Sequence, residues 1–386
     1  MRLPPSFFTA LHDRVRAGLD EAGLDALLLD DPLDVAYLTG FAHFPNERPV
    51  VVYLPRAGEV LLLVPDLERE YAADQRAAAT LVVYPEFPGE RSPFAVLADA
   101  VDVAPRRLGH AASTSVGRVA AVAAAFPGAE PVTSDLVGRL RLVKTPEEIV
   151  LHTEAARIAD AMLAEGARLV AAAGPDDLPT ETELAGHVTR FGTRMMYAEH
   201  DDVVVVPMLT GGLVYGGANS AQPHRLPGGD RLRRGEPFML SLGCAVGGRF
   251  VESERTFLLG EPTAEQRRYY EVVRLAQEVG TAALRPGTRC VDANRACLDV
   301  VRRAGLAGYL RHRQGHGIGL GFHEPPWVAD GDETVLEPGM VLSSEPGVYV
   351  PGHAGYRISD TVLVTADGPE RLTSYPRDLD RIVIGA

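Results

Sequence analysis

The sequence predicts an α/β chain of two domains, the first an α/β layer and the second a larger α+β unit. Three observations carry this. A length of 386 residues suits two domains or one large one. The first third alternates short apolar runs with helical stretches, the pattern of an α/β layer. Beyond about residue 140 the helical stretches lengthen, and β segments lie between them.

In chain order, Phe8–Ala22 reads as an amphipathic helix and Ala26–Asp30 as a short buried strand. The Tyr37–Phe41 run is expected to pack inside the first domain. Pro49–Leu54 and Glu59–Val64 flank a Pro/Gly turn and read as neighbouring strands. Ala111–Phe126 reads as a helix. A helix-start signature follows: Thr145 as N-cap, Pro146 in the first turn, and Glu147 and Glu148 at the positive helix end. Further helices are expected over Glu181–Gly192, Ala264–Leu284 and Val291–Ala304. The β segments are Asp202–Pro207, Pro237–Gly243, Arg249–Leu259, Met340–Ser344 and Gly355–Thr365.

A formal net charge of −14 argues against nucleic acid or an anionic membrane as partner. Cys244, Cys290 and Cys297 form neither a metal-type cluster nor a disulfide framework, so a reduced, cytoplasmic setting is expected. No stretch reads as a signal peptide or a membrane span.

The most chemical stretch runs from His312 through Gly315-His316-Gly317-Ile318-Gly319 to His323-Glu324. Glycine permits close backbone approach, and histidine moves protons near neutral pH or binds metal. This stretch resembles the signature of the pita-bread peptidases, which include Xaa-Pro aminopeptidases, prolidases, methionine aminopeptidases and the metal-free creatinase. The resemblance implies a creatinase-like N-terminal α/β domain over residues 1–139 and a pita-bread α+β catalytic domain over 140–386, with helices covering a curved, mainly antiparallel sheet. The boundary is placed there because Arg141-Leu142-Val143-Lys144 is similar to the Arg-x-x-Lys segment that begins the family's catalytic domain. It further implies a homodimer acting on a dipeptide or other small-molecule substrate.

The resemblance also implies a ligand set for two divalent ions: two aspartates from a β-hairpin, one histidine from the glycine-rich run, and two glutamates from C-terminal strands. In this chain those positions are Ser241, Glu252, His316, Glu345 and Ser359. Two carboxylates have become serine and one has lengthened. Glu254 stands where the metallopeptidases carry threonine, and shares a strand face with Glu252. Asp360 is no replacement for Ser359, because successive strand residues point to opposite faces. His224, His312, His323 and Arg357 follow the peptidase pattern, while Asn219 stands where creatinase has its catalytic histidine.

The leading expectation is a metal-independent hydrolase of a C–N bond, needing no cofactor. Glu345, Glu254 or Glu252 would serve as base or nucleophile, and His316 as proton donor. His224, His312, His323 and Arg357 would contact substrate, Arg357 by gripping a carboxylate. Clustered carboxylates repel, so at least one should have a raised pKa. One alternative is an Xaa-Pro dipeptidase or aminopeptidase holding a single Mn, Co, Zn or Fe ion through Glu252, His316 and Glu345. The other is a non-catalytic binding protein of the same fold.

Overall fold

Residues 1–174, 176–204 and 209–385 are described by the structure, a computed structural model. The chain divides into two compact units, Leu3–Arg141 and Leu142–Ala386, the second also taking in Met1–Arg2.

The first unit is built on a six-stranded sheet. Its strands are β1 (Ala26–Leu29), β2 (Val51–Pro55), β3 (Leu61–Pro65), β4 (Thr80–Tyr84), β5 (Arg107–His110) and β6 (Glu130–Thr133), in the order β4-β3-β2-β1-β5-β6. β2 is antiparallel to both β1 and β3, and the remaining pairs are parallel. Its apolar strand residues, such as Leu28, Val51, Tyr53 and Leu63, form one core with Leu97 and Phe126. Tyr37 and Phe41 are buried, as packing required. The first helix begins at Pro5, earlier than the expected Phe8. The helix expected from Ala111 begins instead at Val116, because the Ser115 hydroxyl caps it by accepting from the Arg118 N–H at 3.2 Å.

The second unit carries a nine-stranded sheet and a separate hairpin. In chain order the strands are β7 (Gly211–Gly216), β8 (Pro237–Val246), β9 (Arg249–Leu259), β10 (Gly315–Gly317), β11 (Glu324–Val328), β12 (Val341–Ser344), β13 (Gly347–Val350), β14 (Ala354–Arg357), β15 (Ser359–Thr365), β16 (Gly368–Arg371) and β17 (Val383–Ile384). The sheet runs β11-β10-β12-β15-β9-β8-β7, with β16 beside β15 and β17 beside β9. β13 and β14 pair only with each other. The segment expected as one strand over Gly355–Thr365 is therefore two, parted at Ile358, because β14 is claimed by β13 while β15 joins β9 and β12.

The β8–β9 hairpin turns on Gly247 and Gly248, with φ of 56° and 79°. A two-residue turn that is left-handed at both positions suits glycine and fixes the register of both strands. The helix Pro146–Ala172 packs across this hairpin, and the helix Glu181–Glu199 packs against the Pro146–Ala172 helix and against β7. The Pro146 helix opens with a reciprocal capping box. Thr145 Oγ1 accepts from the Glu148 N–H at 3.4 Å, and Glu148 Oε2 accepts from the Thr145 N–H at 3.1 Å. The helix expected to stop at Gly192 continues to Glu199. Of the strand expected over Asp202–Pro207, residues 205–207 lie outside the described residues, and 202–204 form no strand. Among the described residues, no helix is long and apolar enough to cross a membrane.

Candidate active site

The hairpin register places the site. Ser241 lies directly opposite Glu254, and Gly243 opposite Glu252. Ser359 on β15 is paired with Glu254 on its other side. Glu252 and Glu254, two apart on β9, thus present one face of the sheet, and both are buried. His316 comes from β10 and Glu345 from the residue just after β12, and both reach the same face. Asp360 points to the opposite side, where Arg255 donates to it at 2.7 Å and Gln277 at 2.9 Å.

Glu252, His316 and Glu345 form the centre, each offering an atom within 4.8 Å of the others. His316 is fully buried. Its Nδ1 faces the Gly317 carbonyl at 3.0 Å and so carries a proton. Its Nε2 has no hydrogen-bond partner among the described residues, though it lies 3.3 Å from Glu345 Oε1 and 3.8 Å from Glu252 Oε2. Glu252 Oε1 accepts from the Ser343 hydroxyl and, at 2.7 Å, from the Ser359 hydroxyl, which leaves Oε2 turned toward His316.

The electrostatics follow from burial and crowding. Burial, aided by repulsion from Glu345, pushes the Glu252 carboxyl up to about 7. Burial would lower the His316 imidazole, but the carboxylates of Glu252 and Glu345 outweigh it and hold the ring at about 9. Burial would raise Glu345, but His316, His312 and Arg357 outweigh it and keep it well below the usual carboxylate range. Burial, reinforced by the positive charge of His316, lowers His323 to about 4, so its ring is neutral around pH 7.

The pocket residues divide. His323 lies on the exposed side with its ring centre 4.0 Å from that of His316. His224 is exposed, and near enough for its charge to oppose protonation of His323. His312 Nε2 pairs with the Tyr349 hydroxyl at 2.8 Å, and Arg357 Nη1 donates to the same hydroxyl at 3.1 Å. Two expectations change. Arg357, expected to grip a substrate carboxylate, instead grips Glu254, donating from Nε at 2.5 Å and from Nη2 at 3.1 Å. Glu254, expected as base or nucleophile, is held in that buried ion pair and also accepts from the Ser241 hydroxyl, so three hydrogen bonds already engage it.

Sequence reasoning missed Ser343, Tyr349 and Lys144. Ser343 sits two residues before Glu345 on the same strand face, a signal that period-two reading could have used. Tyr349 closes the Glu345-Pro346-Gly347-Val348-Tyr349 run. Lys144 Nζ meets Glu324 Oε1 at 2.9 Å, with both side chains buried. The glycines of the histidine run also serve this pair, since a Cβ at Gly319 would fall 2.0 Å from Glu324 Oε1.

The donor set decides which ions the centre fits. A two-ion set does not fit: the Ser241 hydroxyl is engaged by Glu254 and Arg357, and that of Ser359 donates to Glu252. A single ion fits. One imidazole and two carboxylates converge, and the buried His316 Nε2 is aimed between the two carboxylates. The other grouping of potential ligands among the described residues, Glu154 with Glu199 and His200, is crossed by Arg157, which bonds both glutamates.

Imidazole and carboxylates gathered on one face of an antiparallel sheet, with a neutral histidine at the open side, define a hydrolytic centre. Residues 151–366 match the model of Metallopeptidase family M24, and residues 12–143 that of the Creatinase/Prolidase N-terminal domain. The chain belongs to metallopeptidase family M24 and is a hydrolase of the peptidase type. It is 32% identical to the probable dipeptidase PepE of Mycobacterium bovis, over 94% of this chain and 93% of that protein. It is 30% identical to an Xaa-Pro dipeptidase of Lactobacillus helveticus, over 96% and 99% respectively. The solved Xaa-Pro dipeptidase of Bacillus anthracis superposes with a TM-score of 0.84 at 28% identity, covering 98% of this chain and 100% of that one.

Proposed function

We propose that the chain is an Xaa-Pro dipeptidase-like peptidase that cleaves the C–N bond of a dipeptide, with one divalent ion held by Glu252, His316 and Glu345. The observation that carries this reading is His316 Nε2, buried and aimed at two carboxylates, 3.3 Å from Glu345 Oε1 and 3.8 Å from Glu252 Oε2. A bound ion would polarise the scissile carbonyl and lower the pKa of a water.

The chain's own residues supply the rest. The Gly317 carbonyl holds the His316 ring by Nδ1, so Nε2 is the free ligand atom. Ser343 and Ser359 orient Glu252 through one oxygen. Neutral His323 offers substrate a hydrogen bond without a competing charge. His224 serves beside it, and His312 acts through Tyr349. The homodimer and the cytoplasmic setting belong to the same proposal. Family resemblance supports the first, and the three unpaired, buried cysteines support the second.

A second reading keeps the centre metal-free, with His316 as an imidazolium that protonates the leaving nitrogen and Glu345 as base. The 3.3 Å approach of His316 to Glu345 favours it. Cleavage of Xaa-Pro dipeptides before and after chelation separates the two. The one-ion reading expects activity to be lost to chelator and restored by Mn, Co, Zn or Fe. Full activity after exhaustive chelation would overturn it in favour of the imidazolium.

A further inference from the structure

The Ser241–Glu254–Arg357 cluster lies beside the centre and is not used by the reading above. Ser241 and Glu254 are paired across the β8–β9 hairpin, so their side chains leave the same face at close range. A carboxylate missing at position 241 on one strand is thus present at position 254 on its partner. Glu254 Oε1 accepts from the Ser241 hydroxyl and from Arg357 Nη2, and Oε2 accepts from Arg357 Nε. Arg357 Nη2 closes the ring by donating to Ser241 Oγ at 2.9 Å. With Tyr349 on Nη1, four of the five guanidinium N–H groups have partners.

We propose that the Arg357 guanidinium is a built-in cation standing in for a second metal ion, and that Glu254 is the relocated carboxylate that locks it there. This rests on the one-ion reading of the centre. The charges support it. With an ion bound, the deprotonated carboxylates of Glu252, Glu254 and Glu345 count three negative charges, and Arg357 returns one. One divalent ion brings the sum to zero, whereas a second would leave two uncompensated positive charges buried. The hydrogen bonds agree, because Ser241 both donates to Glu254 and accepts from Arg357. Unlike a metal ion, a guanidinium does not dissociate or deprotonate. One of the three positive charges that balance the carboxylates is thereby made independent of metal supply.

The test titrates Mn²⁺ alone into the chelator-stripped full chain, by calorimetry and by electron paramagnetic resonance. Wild type is expected to bind one Mn²⁺ per chain with the spectrum of an isolated ion. A rebuilt variant combining Ser241→Asp, Glu252→Asp, Glu254→Thr and Ser359→Glu is expected to bind two, with the spectrum of a coupled pair. Ser241→Asp alone should stay at one, because Glu254 still holds the guanidinium. Two coupled ions in wild type would overturn the stand-in while leaving the peptidase reading intact. No bound ion in wild type would overturn the one-ion reading itself. A folded rebuilt variant that still binds one ion would refute the role given to Glu254. Should that variant fail to fold, the wild-type spectrum alone decides.

Discussion

Replacing Lys144 by Met removes the ammonium that meets Glu324 at 2.9 Å, in a pair whose side chains are only 3% and 8% exposed. At that separation the attraction is about 6 kcal/mol for an effective dielectric constant of about 20. Desolvation of both groups offsets much of it, so the pair as a whole adds little. The single substitution takes from a buried carboxylate the ammonium that meets it at 2.9 Å, a loss of about 3–5 kcal/mol. The double substitution Lys144→Met with Glu324→Leu removes both charges and should recover most of that loss. Trp327, the single tryptophan, lies on β11 three residues beyond Glu324 and stacks under Arg313 at 4.5 Å, so its fluorescence reports unfolding of this unit. Urea unfolding followed by Trp327 gives the four corners of the cycle. A single-substitution loss below about 1 kcal/mol, the range of exposed pairs, would refute the reasoning. So would a double variant as unstable as the sum of the singles.

Glu345→Gln keeps the size of the side chain but removes the charge 3.3 Å from His316. Turnover should fall by about 10²-fold or more, the scale of a lost catalytic carboxylate, and kcat of the folded variant checks it. His152 gives a pH dependence. Burial, with Lys144 and Arg249 adding to it, lowers its pKa to about 3, against 6.5 in the unfolded chain. Below pH 6.5 the unfolded state therefore binds the extra proton. His152 contributes no penalty above pH 6.5, and stability falls as pH drops from there toward 3. The slope is about 1.4 kcal/mol per pH unit, or about 2 kcal/mol between pH 6.5 and 5. His152→Asn should flatten that limb of the urea midpoint against pH, and an unchanged limb would contradict the assignment.

The parts of the fold legible in the sequence are those set by neighbours in the chain. Thr145, Pro146 and Glu148 announce a helix start because capping is local, and the structure shows the reciprocal bonds. Glu252 and Glu254 share a face because the pleat dictates it. The illegible parts are long-range partnerships. Nothing near Gly355 says that β14 belongs to β13 while β15 belongs to β9, so the break at Ile358 is hidden. Glu254 read as a base because the sequence does not say which arginine will reach it. The answer, Arg357, is 103 residues away. Lys144 and Glu324 are 180 residues apart and meet only in the folded chain. The pattern of ligand residues led first to a metal-free centre and gave Glu252, His316 and Glu345 as a one-ion set only as the alternative; those three converge in the structure.

The most direct test of the central claim is the metal content of the chain purified without chelator, measured per polypeptide beside that of His316→Ala. The account predicts one divalent ion per chain in the wild type and its loss in the variant, together with cleavage of Xaa-Pro dipeptides. Wild-type protein that cleaves those dipeptides at full rate with no bound ion would contradict it.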